Sequence, residues 1–410
     1  MILRAAWVAP GDAPPIRDGF VRIREDRIAE VGVFGKEIGA GAEDSVRDLG
    51  AVALTPGLIN PHTHLELGCY AGKLPRGPLW PWLAELIRVR RQGPQIERET
   101  AAAAEFAWRS LRAGVTCVGD ISRRNVGWRA LKAVPIRKVC FVELLTLADQ
   151  PPRTLAELRA ALDEVLEDAL LTAGVSPHAP YTVPASDARD AIMLAKSRGK
   201  PWTIHLAETS EEIAFLHGDA SGLPPGLTQA QGASGMAPAR DGVTAYLRGL
   251  RAEERLGSGY LAHCNYLTDE EVEQIAVAGC AVVYCPRAHA FYGHADHPIQ
   301  RLRAAGVTVA VGSDSPACDN ADLSPWRELQ RLCAVHPTLA AEDATLLRLV
   351  TADAAVALGM ADRIGAIRPG MLADLAAFPL PAPADRPIQA LIRAAPSATR
   401  MWVGGREVAL

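Results

Sequence analysis

Two imidazoles two residues apart are the first chemistry the chain offers. In Thr55-Pro-Gly-Leu-Ile-Asn-Pro-His-Thr-His64, the apolar residues Ala51 to Leu54, then Leu58 and Ile59, read as a buried strand that ends in His62 and His64. Residues two apart in a strand point the same way, so both rings emerge on one face and make half a site for a divalent cation such as zinc. Alone, His-x-His fits two unrelated loop histidines equally well. Further ligand and acid–base residues close later apolar runs: His178 in Ser-Pro-His-Ala-Pro-Tyr181, His205 and Glu208 in His-Leu-Ala-Glu-Thr209, His263 in Ala-His-Cys-Asn265, and Asp314 in Gly-Ser-Asp-Ser315.

Such residues act together only if their strands end on one face. From about residue 53 to 364, short apolar runs alternate with alanine- and leucine-rich helical stretches, the pattern of a parallel sheet with crossover helices. Eight strands are expected: the run before His62, then Val115–Val118, Val139–Val142, Gly174–Ser176, Trp202–Ile204, Tyr260–Ala262, Ala281–Tyr284 and Val307–Val311. Ala101–Leu111, Ala156–Leu171 and Ala185–Ser197 are the clearest helices between them. Eight is the number that closes a (β/α)8 TIM-type barrel, whose chemistry sits at the carboxyl ends of its strands. An open doubly wound sheet is the rival. Residues 1–52 and 365–410 are β-rich, with period-two alternation in Gly19–Arg24 and Arg27–Gly32 and again in Ala373–Phe378 and Met401–Val408. They predict one small composite β-sandwich-like domain built from both termini.

Composition excludes several classes. The 410 residues are 49% hydrophobic and carry a net charge of −4 with both signs interspersed, so no basic face points to nucleic acid. The eight cysteines include no Cys-x-x-Cys, which fits reduced thiols. The first residues carry no leader pattern and no run suits a membrane span, so a cytoplasmic enzyme is expected.

In order, Pro-Gly-Leu-Ile-Asn-Pro-His-Thr-His, Pro-His-Ala-Pro-Tyr, His-Leu-Ala-Glu-Thr, His-Cys, Gly-Ser-Asp-Ser and the Gly-x-Ile-x-Pro-Gly-x-x-Ala-Asp-Leu of Gly365–Leu375 span nearly the whole chain. This set resembles the amidohydrolase superfamily, in its mononuclear deaminase and chlorohydrolase branch. The resemblance implies His62, His64, His205 and Asp314 as ligands of one divalent metal, Zn2+ before Fe2+ or Mn2+. It implies Glu208 as proton shuttle, His263 as the residue orienting the attacking water, with Asp314 sharing in its deprotonation, and His178 as a substrate contact. Two-metal relatives use a carboxylated lysine where this chain has His178, which favours one metal and deamination. Relatives are often homo-oligomers. The other deaminase pattern, His-x-Glu with Pro-Cys-x-x-Cys, is missing, because Cys285-Pro-Arg-Ala lacks a second cysteine.

The substrate expected is a small nitrogen heterocycle, aminopurine- or nucleoside-like; chlorohydrolysis or cyclic-amide hydrolysis on the same scaffold is the alternative. The segment from Glu66 to Trp82 reads as a long loop whose aromatic residues, Trp82 among them, either stack on a flat ring or anchor the loop. Glu66 and Glu143 are candidates for ribose hydroxyls or ring nitrogens, and equally for solvated carboxylates. Arg287 and His289 stand where nucleoside deaminases carry an Asn-Pro-x-Ser-Asn type segment; an arginine there predicts an acid group on the substrate. The spacing of His-Thr-His-Leu-Glu is most similar to the aminodeoxyfutalosine deaminase type.

Overall fold

The computed structural model describes the chain except residues 36–44, 94, 148–150, 235–241, 252–254, 320 and 382–383. Eight parallel strands form the central sheet in sequence order: Leu58–Thr63, Val115–Ser122, Arg137–Leu144, Leu171–Pro177, Trp202–Leu206, Gly259–His263, Ala281–Tyr284 and Val309–Val311. The second and third are buried at every residue, as expected of strands covered by helices outside and packed side chains inside. The sheet closes where the eighth strand's extension returns to the first: the Asp314 N–H donates to the His62 carbonyl at 3.0 Å, and Thr63 bridges Asp314 in parallel. Closure therefore falls among the candidate ligands themselves.

Helices Gln95–Arg112, Ala185–Ser197 and Asp269–Ala278 lie between strands. In the first, Ala102, Ala103, Phe106, Ala107 and Leu111 repeat at helical spacing and turn a buried stripe to the barrel. The third starts with a reciprocal Thr268–Glu271 capping box and stops at left-handed Gly279. The helix expected over Ala156–Leu171 is shorter, Leu155–Asp163. The Asp168 carboxylate accepts from the Leu170 and Leu171 amides at 2.8 and 2.9 Å, turning the chain so that Leu171 opens the fourth strand.

Both termini build a second sheet, mixed in direction. Its order is Arg406–Val408, Arg400–Val403, Leu375–Pro379, Val52–Pro56, Ile2–Val8, Ile16–Arg24, Arg27–Val33, with Val46–Asp48 also beside Ile2–Val8. The apolar run before His62 is thus two strands. Val52–Pro56 pairs antiparallel with Leu375–Pro379, so this segment belongs with the terminal sheet rather than beyond a boundary at residue 52. Gly57 makes the break: its N–H donates to the Asp374 carbonyl, and a Cβ there would sit 2.0 Å from Thr116 Oγ1. A second joint is buried between the domains. Arg137, at the start of the third barrel strand, grips Asp374 with Nε–Oδ2 at 2.8 Å and Nη2–Oδ1 at 3.1 Å. Among the described residues no helix is long and apolar enough to cross a membrane.

Candidate metal centre and active site

The strand ends bring six ligand-type side chains together. His62, His64 and His205 offer nitrogens within 4.8 Å of one another, and Glu208, His263 and Asp314 form a second such group. Asp314 Oδ1 joins the two, 3.9 Å from His62 Nε2 and 3.7 Å from His64 Nε2, while His64 and His205 face each other through Nε2 atoms 3.3 Å apart. Bonds of about 2.0–2.1 Å to a tetrahedral cation place neighbouring ligand atoms roughly 3.3 Å apart. The observed separations of 3.3 to 3.9 Å fit that geometry.

The tautomers point the same way. Tyr260 donates its hydroxyl hydrogen to the Pro61 carbonyl at 2.8 Å, leaving its oxygen to accept from His62 Nδ1 at 3.2 Å. His205 Nδ1 donates to the His178 carbonyl at 2.8 Å. Both rings thus carry hydrogen on Nδ1 and present a bare Nε2, as outer-shell partners do for metal-binding histidines. His62 Nε2 is buried without a hydrogen-bond partner. An orphaned buried acceptor is costly unless something binds it, and a divalent cation fits this donor set.

Burial disfavours the charged form of each of these groups. It pushes the pKa of His62, His64 and His263 well below the usual imidazole value, helped by the neighbouring rings, and takes His205 down to about 4. Burial raises Asp314 to about 7 and lifts Glu208 well above the usual carboxylate range, with Asp314 and Glu212 adding repulsion. A cation between the rings and Asp314 would oppose the carboxylate's shift.

Strain marks the same turns. His263 and Asp314 hold φ of 70° and 60°, and Ala207, between His205 and Glu208, holds 52°. Non-glycine residues enter this region at a cost and collect at functional sites. Glu212 stabilises the turn at Ala207: its carboxylate accepts from the Ala207 and Glu208 amides at 2.8 and 3.0 Å. Thr209 caps the following helix, so Glu208 is free of that duty, and its Oε1 lies 3.7 Å from His263 Nε2. Glu212 was not among the expected residues; the Thr209-x-x-Glu212 spacing was the available signal.

His178 adjoins the cluster, with its ring centroid 5.2 Å from that of His205. Thr182 donates to the Ala179 carbonyl and so accepts from His178 Nδ1 at 2.7 Å, leaving Nε2 as an acceptor. Glu66 and Glu143 are buried, contrary to a solvated loop role. Glu143 is raised to about 7 by burial, with Arg123 Nε 4.0 Å away as partial compensation. Arg123 also escaped the sequence reading, since a surface-type arginine after an apolar run carries no distinguishing pattern.

The expected loop over 66–82 contains a 3-10 helix, Leu65–Tyr70, and the start of a helix, Leu79–Arg90. Trp82 is buried edge-on against Tyr292, ring centroids 5.6 Å apart. The pairing expected between Arg287 and a substrate acid group is not what the geometry offers. Its guanidinium is engaged by Asp322 at 2.6 Å, the Asp319 carbonyl and Glu328 at 3.8 Å. His289 is held against Tyr284 and near His294, its Nε2 buried and unpartnered.

A closed parallel barrel with histidines and an aspartate at its strand ends is the architecture of metal-dependent hydrolases. The chain belongs to the amidohydrolase family, whose model matches residues 53–408. It is 31% identical over 403 residues to a 5-methylthioadenosine/S-adenosylhomocysteine deaminase of Nitratidesulfovibrio vulgaris, covering 94% of this chain and 85% of that protein. An adenosine deaminase from Xanthomonas campestris with bound zinc is similar at a TM-score of 0.82 and 25% identity, over 99% of this chain and 92% of the other. Helicobacter pylori aminofutalosine deaminase in complex with methylthio-coformycin has the same fold, with a TM-score of 0.87 at 24% identity and full coverage of both chains.

Proposed function

We propose that this chain is a metal-dependent hydrolytic deaminase of a purine-like nucleoside, replacing a ring amino group by oxygen and releasing ammonia. His62, His64, His205 and Asp314 hold the ion, with zinc as the assigned metal. A bound divalent ion supplies Lewis acidity, lowering the pKa of water so that hydroxide is available near neutral pH. Glu208, whose neutral form burial favours, donates its proton to the ring nitrogen beside the amino-bearing carbon, regains one from the added hydroxyl as the carbonyl forms, and passes it to the amino group that departs as ammonia; the proton taken from the water then restores the acid. His263 and Asp314 orient the attacking water and take its proton. His178 Nε2 contacts the heterocycle, Glu66 and Glu143 the sugar, and Trp82 with His289 lines the wall around the substituent.

The observation carrying this reading is the contact between Glu208 and His263, 3.7 Å apart beside a three-imidazole and carboxylate set. The curated relative's named substrates, a thioether adenosine and an adenosylated amino acid, support an adenosine-type ring. All eight cysteines are free thiols, which supports a cytoplasmic setting. The test is ammonia release by zinc-loaded protein against adenosine derivatives with apolar, thioether and carboxylated 5′ substituents, with metal content measured in parallel. Turnover of at least one aminopurine nucleoside is expected. Silence across the panel, with chloride released from a chlorinated triazine, would replace deamination by dechlorination.

A further inference from the structure

We propose that Arg90 is a positioning residue for sugar recognition: with Ser122 it fixes both oxygens of Glu66 so that this carboxylate accepts the vicinal hydroxyls of a ribonucleoside. The inference rests on the nucleoside reading above. Glu66 lies two residues beyond His64, at the start of the 3-10 helix. Arg90 Nη2 donates to its Oε1 at 2.7 Å and the Ser122 hydroxyl to its Oε2 at 2.9 Å. Ser122 is held in turn by the Gly127 amide at 2.7 Å. An ionised carboxylate has about four acceptor positions. One on each oxygen is taken, and one on each remains for a pair of hydroxyls on adjacent carbons.

Arg90 is itself fixed from behind. Its Nε donates to Glu99 Oε1 at 2.8 Å, and Glu99 also receives Tyr70, Gln95 and Arg124. Glu66 and Glu99 are 3% and 0% exposed, so the guanidinium sits between two buried carboxylates. A staple between helices Leu79–Arg90 and Gln95–Arg112 needs only Arg90 and Glu99. The continuation to Glu66 carries the network to within two residues of His64, where Glu143 lies within electrostatic reach of both Glu66 and Arg90. Buried ion networks of this kind contribute little net stability and are better placed to fix geometry.

The experiment compares a ribonucleoside substrate with its 2′,3′-dideoxy counterpart in wild type, Arg90→Gln, Arg90→Lys and Ser122→Ala, with Tm recorded for each. Arg90→Gln is expected to raise KM for the ribonucleoside roughly tenfold or more, the worth of a charge-assisted hydrogen bond. Its kcat and its kinetics on the dideoxy compound should stay near wild type, and Arg90→Lys should recover part of the loss. Equal losses on both substrates, or no change in a folded variant, overturn the proposal. If Arg90→Gln does not fold, Arg90→Lys and Ser122→Ala read the same split. If the wild type deaminates neither compound, deamination fails while calorimetric binding of the two nucleosides still tests recognition; a wild type that binds them equally, or not at all, ends it.

Discussion

Two buried polar clusters sit at opposite ends of the barrel and are built on opposite terms. Where the third strand begins, Arg137 and Asp374 satisfy one another completely: two guanidinium–carboxylate bonds, Arg137 Nη1 to the Ala169 carbonyl at 2.9 Å, and the Gly404 amide to Asp374 Oδ1 at 2.7 Å. At the carboxyl ends, His62 Nε2 has no hydrogen-bond partner, and two of the six clustered residues, His263 and Asp314, hold left-handed backbone. Both clusters cost desolvation. Only the first recovers it within the chain, by joining the barrel to the terminal sheet. The second leaves a buried acceptor open, as a site for a ligand would and a joint would not.

The comparison predicts separate failures. Glu208→Gln should lower kcat by on the order of 10²–10⁴, the usual worth of a general acid–base group, with bound metal and Tm near wild type. Full activity in this variant, read by ammonia release, removes Glu208 from the chemistry. Arg137→Met should do the reverse, costing about 3–5 kcal/mol because Asp374 is left buried and unpaired, while the specific activity of what remains folded is kept. A denaturant titration with no loss of stability would mean that the joint contributes nothing to holding the domains. Removing metal with a chelator should lower Tm, since a ligand at 100 times its Kd stabilises by about 2.7 kcal/mol. His205→Ala, already without a complete site, should show no chelator effect. A chelator shift that survives in that variant would place the ion elsewhere.

How much of this was legible depends on whether chemistry and packing write the same pattern. His62, His64, His205, Glu208, His263 and Asp314 all follow apolar runs that parallel strands require, so the barrel could be read and with it the convergence of these six side chains. The split at Gly57 was hidden because Val52–Pro56 and Leu58–Thr63 are both buried, and burial carries no record of which sheet a strand joins. Arg90 was invisible for a different reason. It is one of four arginines in Arg88-Val-Arg-Arg91 and the nearby Arg98, all with the look of a solvated helix face, and only the fold shows which turns inward. Arg287 failed oppositely: its position suggested an anion, and the chain itself supplies one in Asp322.

Glu328 lies between the two kinds of cluster and sharpens the distinction. One oxygen accepts from the Arg287 amide at 3.0 Å and steadies the helix Pro286–Tyr292 after the seventh strand; the other is buried without a hydrogen-bond partner. Burial lifts its pKa to about 8, with Arg287 opposing. A folded-state pKa above the unfolded value means that the native state holds the proton more tightly. The stability gained from it is complete below about pH 4.5 and is lost as pH rises through about 8. Glu328→Gln keeps the shape and an acceptor but cannot ionise, so its stability relative to wild type should climb between pH 5 and 8.5, by on the order of 1 kcal/mol or more. Denaturant titrations across that range read the difference. Parallel curves would mean that Glu328 is already charged at low pH and paired with Arg287, a satisfied joint like Arg137 with Asp374.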